Sequence, residues 1–429
     1  MVATFPIVRG GALESMHRQS LVVALLLASV GAFFVQPAAA QVADDQPSLP
    51  VVGSPSPIAP SPVEHRQPEA TNENVQSAVE AVGELRSTVR VSPDDADARL
   101  KLAQGLYRLG EFDAAIEECR IAIKLNQDDA NAHLQLGVLL LTKQEWRSAV
   151  SVLKEAVRLD PGLTHAHYSL GNALYSLGQV KAAIQSYRQA LELQPYFPDA
   201  RYRLALLLKL SNQERESAQL MEEAAVGGIP QARYFLGNAY KSGQGLERNL
   251  GLAIYWWMKA AELGHQPASE ALSKVRRQAL SPDQSERRRK DALEGFRAYR
   301  AKLWDGSPEY VRADPDEALG ARLLQENRTD QALGTLLMEG SALSETAQAE
   351  LARLYESGRE PWVAPYDKKI LACLEITAAD GFLPAKKHVA RIYLKGLGVA
   401  ADQQKANAIL NGLPRQEIKS MLEEWGSRP

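Results

Sequence analysis

The chain has 429 residues, a formal net charge of −3 and a hydrophobic content of 45%, so it has ample apolar material for a folded core. This small negative charge argues against general nucleic-acid binding, for which a strongly basic surface is expected. The two cysteines, Cys119 and Cys373, lie too far apart for a metal-binding or redox motif. We expect both to be buried free thiols, and a disulfide between them is the alternative.

The N-terminal segment has the layout of a secretory signal peptide. From Met16, two basic residues precede an apolar run over 21–35 and then three alanines over 38–40. We therefore expect a cleavable signal peptide over 1–40 and a periplasmic or secreted protein. An uncleaved membrane anchor is the alternative, although the apolar run is short of the ~20 residues that a transmembrane helix needs. Whether translation starts at Met1 or Met16 stays open.

Residues 41–72 follow, with Pro recurring every few residues and Ser and Ala between them. Such a composition has too little apolar surface to fold and favours an extended, partly polyproline II chain. We expect this segment to be a disordered N-terminal tether.

An internal repeat with a period of 34 residues comes next, with copies that start at Leu100, Leu134 and Tyr168 and a weaker copy at Tyr202. The recurring positions are Leu102, Leu136, Leu170 and Leu204, then Ala103, Gly137, Gly171 and Ala205, then Ala115, Ala149, Ala183 and Ser217, and finally Ala122, Ala156, Ala190 and Ala224. The pattern predicts two helices per repeat, joined by a tight turn such as that at Gly110, with small residues where the helices cross. Because one hairpin cannot bury its own apolar face, neighbouring repeats must stack.

This pattern resembles the tetratricopeptide repeat (TPR) and covers residues 95–230. Pro161 and Pro195 close two of the copies, since Pro cannot continue the second helix. The segment 73–94 precedes the first copy and is expected to supply a lone capping helix. The resemblance implies an all-α fold, an α-solenoid of antiparallel helix hairpins.

The stretch GNAYKSGQGLERNLGLAIYWWMKAAELG, from Gly237 to Gly264, resembles a Sel1-type repeat, a relative of the TPR. A phosphate-binding loop is the alternative for the Gly-Gln-Gly sequence at 243–245. A dinucleotide fingerprint, however, needs a preceding strand and a third glycine where Arg248 stands. We therefore predict a link between two helices, with glycines that allow a positive φ where the first helix ends.

The same signature divides the rest of the chain. A Sel1-like repeat spans 231–280, and further Sel1-like repeats are expected over 346–417. Between them, 281–345 is either a charged helical connector or a decayed repeat, and Ser281-Pro282 predicts the start of a helix there. Residues 418–429 are assigned to a C-terminal tail.

Two groups of side chains have both a structural and a functional interpretation. His133 and His167 occupy the same position of two repeats, with His165 nearby, but a metal site needs further converging ligands, so we expect core histidines. The pair Trp256-Trp257 offers a surface for stacking sugars or bases. We expect both tryptophans instead to pack within their hairpin and against its neighbour.

A run of basic residues lies in the connector. It comprises Arg287, Arg288, Arg289 and Lys290, joined by Arg276, Arg277, Arg297 and Arg300. We expect a solvated helix face. The alternative is an anionic partner such as an acidic polysaccharide or a lipid surface.

The TPR resemblance implies that the first helix of each repeat lines a concave groove for a protein or peptide partner. The second, fifth, ninth and twelfth repeat positions face that groove, and here they include Asp97, Leu100, Gln104, Tyr107, Asn131, Leu134, Val138, His165, Tyr168, Asn172, Tyr175, Asp199, Tyr202 and Leu206. The clamp by which some TPR proteins hold chaperone C-termini needs Lys and Asn where Leu100 and Gln104 stand. What remains is an apolar, Tyr-rich groove suited to an extended or helical peptide.

The favoured function is a non-catalytic extracytoplasmic scaffold, with assembly of an envelope or exopolysaccharide-export complex as one role that such proteins have. No catalytic, metal-binding or cofactor motif is recognised, and we expect no nucleic-acid partner. One alternative is a Sel1-type enzyme that acts on β-lactam-like or cell-wall compounds, although this chain lacks the cysteine pair per repeat of such proteins. The other is a spacer that is held at the membrane by an uncleaved N-terminus.

Overall fold

A computed structural model describes residues 72–305, 317–357, 363–411 and 413–426, and within these ranges the regular structure is helical, with no strand. The chain divides into two compact units, residues 1–200 and 201–429. The predicted signal peptide, and the predicted tether up to residue 71, lie outside the described residues.

Unit 1 consists of antiparallel helices. They are α1 (Asn72–Val91), α2 (Ala96–Arg108), α3 (Phe112–Leu125), α4 (Ala130–Thr142), α5 (Trp146–Leu159), α6 (Thr164–Ser176) and α7 (Val180–Leu193), and α8 (Pro198–Leu210) begins at its end. The capping helix expected before the first repeat corresponds to α1, which approaches α2 so closely that a Cβ on Gly105 would lie 2.7 Å from Val82 Cγ2. The repeats thus form the predicted hairpins.

The starts and ends of these helices follow from local chemistry. The Asp95 carboxylate accepts a hydrogen bond from the Ala98 N–H, and Asp129 accepts from Asn131 and Ala132, so both cap a first helix. The turn between the two helices of a repeat needs a left-handed residue. The φ angles there are 78° at Gly110, 61° at Gln144 and 73° at Gly178, one period apart.

Small residues lie where the two helices of a repeat cross, as predicted. A Cβ on Gly137 would lie 2.5 Å from the Leu153 side chain, and one on Gly171 would lie 2.6 Å from the Tyr187 ring. Both distances are shorter than van der Waals contact, so the large side chain on the second helix occupies the space that glycine leaves.

Unit 2 continues with α9 (Glu214–Val226), α10 (Pro230–Ser242), α11 (Leu250–Ala261), α12 (Gln266–Leu280), α13 (Glu286–Asp305), α14 (Leu319–Gln325), α15 (Thr329–Ser341), α16 (Glu345–Ser357), α17 (Asp367–Ala379), α18 (Leu383–Lys395), α19 (Gln403–Leu410) and α20 (Arg415–Glu424). A single turn of 3-10 helix, Ala364–Tyr366, precedes α17. Within this unit, α10 and α11 repeat the close crossing, since a Cβ on Gly237 would lie 2.5 Å from Trp257 Nε1.

The Gly-Gln-Gly loop links α10 to α11, and the segment that precedes it is the helix α10 and not a strand. Gly243 ends α10 in the left-handed conformation with φ 78°, and Gly245 has φ 73°. A Cβ on Gly245 would lie 2.7 Å from the Glu214 carbonyl oxygen, so the loop packs tightly against the preceding repeat. The Asn249 side chain then caps α11 by accepting from the Leu252 N–H at 3.0 Å.

The loop between α18 and α19 has the same design. Gly396 and Gly398 have φ angles of 66° and 68°, and the Asp402 carboxylate caps α19 by accepting from the Lys405 N–H at 2.8 Å. The recurrence of both glycines and of the capping side chain confirms the prediction that this loop belongs to the repeat architecture.

Two sequence predictions about the C-terminal half need correction. Ser281 and Pro282 do not begin a helix, because Ser281 ends α12 and α13 starts only at Glu286. Ser281 instead forms a turn in which its hydroxyl accepts from the Asp283 N–H at 3.3 Å. The segment assigned to a C-terminal tail is mostly helical, since α20 buries Met421, and Trp425 follows it into the same apolar cluster.

Candidate partner-binding face

The first helices of the repeats in unit 1 lie side by side. The helix α4 packs against both α2 and α6, in addition to its own hairpin partner. Residues at equivalent repeat positions therefore come next to one another across the three helices. We call this surface the first-helix face.

The predicted groove residues differ in their accessibility. Three of them are exposed, namely Asp97, Gln104 and Asn131, and two are buried, Leu100 and Asn172. The half-buried ones are Tyr107, Leu134, Val138, His165, Tyr168, Tyr175 and Asp199. That Leu100 and Asn172 face the groove stays a prediction, and both side chains are buried. Leu100 is 7% exposed and Asn172 3% exposed, because neighbouring helices cover both.

Tyr202 and Leu206, also predicted for the groove, belong to unit 2. There both pack as half-buried side chains against the cluster around Met221 and Leu236. The Tyr202 ring lies 6.3 Å from the ring of Phe235. Their environment is that of side chains packed within a repeat array.

The centre of the first-helix face is aromatic. The ring of Phe197 lies 5.5 Å from that of His165 and 4.9 Å from that of Tyr168, and Tyr168 lies 5.9 Å from Tyr187. Phe197 precedes α8 and is fully buried. Sequence reasoning missed Phe197, although the aromatic pair at 196–197 stands where two other repeats have Asp-Asp and one has Gly162-Leu163.

A buried amide lies beside this aromatic group. Asn172 Oδ1 accepts a hydrogen bond of 2.7 Å from the Tyr187 hydroxyl, whereas Asn172 Nδ2 has no partner among the described residues. A buried N–H without a partner costs free energy, and at 3% exposure Asn172 belongs to the packing of the hairpin and not to the open surface. Burial also lowers the pKa of His165, which keeps its ring neutral at neutral pH. The half-buried rings of His165 and Tyr168 can contact uncharged parts of a peptide.

The other two repeat histidines have structural roles. His133 Nε2 lies 3.1 Å from the Gln127 carbonyl oxygen, and His167 Nε2 lies 2.9 Å from the Pro161 carbonyl oxygen. Each ring therefore holds the loop that precedes its helix. In the part of the chain that the structure describes, no cluster of three or more His, Cys, Asp or Glu side chains is arranged to hold a metal ion.

The tryptophan pair and the cysteines pack as expected. Trp257 is fully buried between α10 and α11, and Trp256 packs half-buried against the neighbouring cluster around Leu236. Cys119 and Cys373 are both buried free thiols. Among the described helices, none combines the length and apolar character that crossing a membrane requires.

The basic residues of the connector do not form a single solvated face. Arg287, Arg288 and Arg297 are exposed, but Arg276 and Arg300 are buried at 3% and 7% exposure. Arg276 Nε donates to Asp380 at 2.7 Å, and Arg300 Nη1 donates to the Ala342 carbonyl oxygen at 2.6 Å. These two arginines connect segments that are distant in sequence. The run of basic residues in the sequence does not indicate which of its members form such buried contacts.

Comparison with protein families assigns the repeats. The TPR repeat profile matches residues 171–211, and a tetratricopeptide repeat profile matches 71–130 and 100–164. The Sel1 repeat profile matches 230–265 and 385–410.

Similar proteins cover parts of the chain. DAP3-binding cell death enhancer 1 of Rattus norvegicus is 39% identical over 59 residues, which are 14% of this chain and 12% of that protein, and the Mus musculus protein matches to the same extent. The chain thus spans about an eighth of the length of these curated relatives.

Three solved structures illustrate the low overall similarity to known folds. YrrB, described as a TPR protein with an unusual peptide-binding site, is 22% identical, covers 44% of this chain and 98% of its own, and has a TM-score of 0.36. The pilF protein of Pseudomonas aeruginosa is 20% identical, with 45% and 90% covered and a TM-score of 0.39. MamA of Desulfovibrio magneticus RS-1 is 21% identical, with 36% and 90% covered and a TM-score of 0.33.

The family profiles match the same segments in which the structure shows helix hairpins with small crossing residues. The chain is a tetratricopeptide-repeat protein that also carries Sel1-like repeats.

Proposed function

We propose that this protein is a non-catalytic scaffold that binds a peptide segment of a partner protein on the first-helix face of unit 1. The observation that supports this most directly is the pair of rings of His165 and Tyr168, which lie half-buried on that face. Both rings pack against the buried ring of Phe197, at 5.5 Å and 4.9 Å, which holds them in place on the face.

The repeat architecture suits such a role. TPR and Sel1 repeats stack helices into an extended surface whose equivalent positions recur at regular spacing. Tyrosine provides a large contact area with few rotatable bonds, so a Tyr-rich face loses little conformational entropy when a peptide binds. The neutral His165 ring and the uncharged aromatic neighbours favour a segment with aromatic or aliphatic side chains.

We further propose that the protein acts outside the cytoplasm. The basic start, apolar run and alanines at 38–40 support export, and the Pro-rich segment after them supports a flexible tether. Within this proposal, the scaffold serves the assembly of an envelope or exopolysaccharide-export complex.

The binding proposal is tested with peptides selected by phage display on the purified protein. Asn131→Arg places a long cation on the exposed part of the first-helix face, at the repeat position that His165 holds in the following repeat. Gln185→Arg makes the same chemical change on the exposed side of α7 and serves as the matched control. We expect Asn131→Arg to weaken peptide binding by about tenfold or more, and Gln185→Arg to change it by less than about twofold.

Fluorescence anisotropy of a labelled peptide measures both affinities, and circular dichroism verifies that both variants are folded. Equal affinities of the two variants, or equal losses, would contradict binding on the first-helix face. A partner recovered in cells is then accepted only when its capture is lost with Asn131→Arg and kept with Gln185→Arg.

A further inference from the structure

Unit 2 contains a cleft that the proposed peptide binding does not use. It has a volume of about 1040 Å³. Its walls are α12, the α12–α13 loop and the start of α13 on one side, and the loop after α17 and the start of α18 on the other. Four basic side chains line it: Lys274 and Arg277 from α12, Arg288 from α13 and Lys386 from α18. We call this surface the basic cleft.

The charges of the basic cleft do not balance. Its two acidic side chains are Glu270 and Asp380. The Asp380 carboxylate is 5% exposed and forms a buried ion pair of 2.7 Å with Arg276. The Arg276 guanidinium, which does not line the cleft, therefore offsets most of the charge of Asp380. Asp380 also accepts a hydrogen bond from the Ser273 hydroxyl. The cleft therefore presents an excess of positive charge to solvent.

Two of the cleft cations have no ion pair within the described residues. Neither the Lys274 nor the Lys386 ammonium lies within salt-bridge distance of a described carboxylate, although surface pairs occur on nearby helices, as between Lys290 and Glu294. Arg277 reaches the Asp380 carboxylate only at 3.4 Å, and its side chain is 64% exposed. These groups can form charge-assisted hydrogen bonds with an incoming anion.

We propose that the basic cleft binds an acidic peptide segment, a short run of Asp or Glu side chains, of a partner protein. An arginine guanidinium matches a carboxylate through two parallel hydrogen bonds, and the flanking lysines add positive charge on both walls. The cleft wall also contains Leu280 and Pro282, which suit the apolar side chains and backbone of a peptide better than the hydroxyl-covered face of a sugar. This site lies in unit 2 and goes beyond the function proposed for the first-helix face.

The test uses the full chain and a fluorescein-labelled peptide with alternating glutamate and leucine. Lys274→Glu together with Lys386→Glu reverses two cleft charges from separate helices. Arg287→Glu together with Arg297→Glu makes the same change in net charge on exposed positions of α13 that do not line the cleft. We expect the cleft variant to bind the peptide at least about tenfold more weakly, and the control to change by less than about threefold.

Fluorescence anisotropy at low and physiological salt measures the affinities, and thermal unfolding verifies the fold of each variant. Equal losses in the two variants would show attraction to overall charge and overturn the proposal. Tighter binding of an oligogalacturonate than of the peptide, lost in the same cleft variant, would reassign the cleft to acidic polysaccharide. Because neither variant touches the first-helix face, loss of binding here leaves the peptides selected for that face as an independent measurement.

Discussion

Gly171 shows how a single residue fixes the geometry of a repeat. It lies where α6 crosses α7, and the Tyr187 ring fills the space that a side chain on it would need, since an added Cβ would lie only 2.6 Å from that ring. Tyr187 is also fully buried and hydrogen-bonded to Asn172. The ring therefore cannot move aside without breaking contacts on the first-helix face.

We expect Gly171→Ala to lower the free energy of unfolding by about 1–3 kcal/mol, because the added methyl group overpacks the helix crossing. Gly83→Ala in α1 is the control, since no atom lies within 4 Å of its added Cβ. That change should raise stability by about 0.5–1 kcal/mol through the better helix propensity of alanine. Urea unfolding of both variants measures the difference, and a similar effect of both changes would contradict the tight crossing.

The buried thiols give a second test at this scale. Burial, with a smaller contribution from Glu118, raises the pKa of Cys119 from 9.0 to about 12. Burial also raises the pKa of Cys373, although the Ser341 hydroxyl 3.3 Å from its sulfur lowers it in part. Since the thiolate is the reactive form, both cysteines should be inert in the folded protein.

We expect iodoacetamide at pH ~8.5 to label Cys119 at least about a hundredfold more slowly in the folded protein than in guanidinium chloride. Peptide mass spectrometry assigns the label to each cysteine. The raised pKa also predicts that the free energy of unfolding falls as the pH rises from 9.0 to about 12, because the unfolded chain loses its thiol proton first. Fast labelling of the folded protein would show that the thiol is accessible.

At the scale of elements, the hairpin of α14 and α15 retains the register of a repeat within the charged connector. A Cβ on Gly320 would lie 2.6 Å from Leu336 at their crossing, and Asn327 forms the turn with φ 60°. Glu339 occupies the repeat position that Ala190 occupies in unit 1, and the Glu339 side chain is buried at 1% exposure. Its carboxylate accepts from the N–H groups of Leu319 and Gly320 at 2.8 Å and 3.0 Å. Glu339 thus caps the short helix α14 from within the hairpin.

We expect Glu339→Ala to lower the free energy of unfolding by about 1–3 kcal/mol, because two buried N–H groups lose their acceptor. Glu339→Gln keeps one acceptor oxygen and should lose less. Glu294→Ala, on the exposed side of α13, should change stability by less than about 0.5 kcal/mol. Thermal unfolding compares the three variants, and equal stability of Glu339→Ala and Glu294→Ala would rule out the capping role.

At the scale of the whole molecule, two compact units of stacked hairpins follow an N-terminal segment that has the features of an export signal. Each unit buries its own apolar residues, and the exposed large apolar side chains among the described residues include Tyr196, in the loop before α8, and Val226, at the end of α9. Such a molecule is suited to hold partners at separate surfaces. The two binding proposals concern one surface in each unit.

We expect the exported protein to begin at Gln41. Signal peptidase requires small side chains at the last and third-last positions of a signal peptide, so Ala40→Leu should block processing. Ala39→Leu changes the intervening position in the same way and should leave processing intact. Intact-mass spectrometry of the protein from a periplasmic extract measures this, and an unprocessed wild-type chain in the cytoplasm would refute export.

The repeat period, the helix hairpins, the crossing glycines and the helix-linking loop at 243–245 were predictable from sequence. Each depends on contacts within one repeat, and the same contacts recur along the chain, so their residue types recur as well. The aromatic group around His165 was only partly predictable, because Phe197 reaches it from a loop whose sequence departs from the other copies.

Only the tertiary structure revealed the ion pair of Arg276 with Asp380, the cap from Glu339, and the meeting of Lys274 with Lys386 in one cleft. These residues do not recur at equivalent repeat positions, and their partners lie on helices that are distant in sequence or in the segment 281–345. The repeat periodicity does not identify such positions, because the stacking of successive hairpins determines which residues contact them. The sequence determined the unit that repeats, and the stacking decided which single charges are buried and which line the basic cleft.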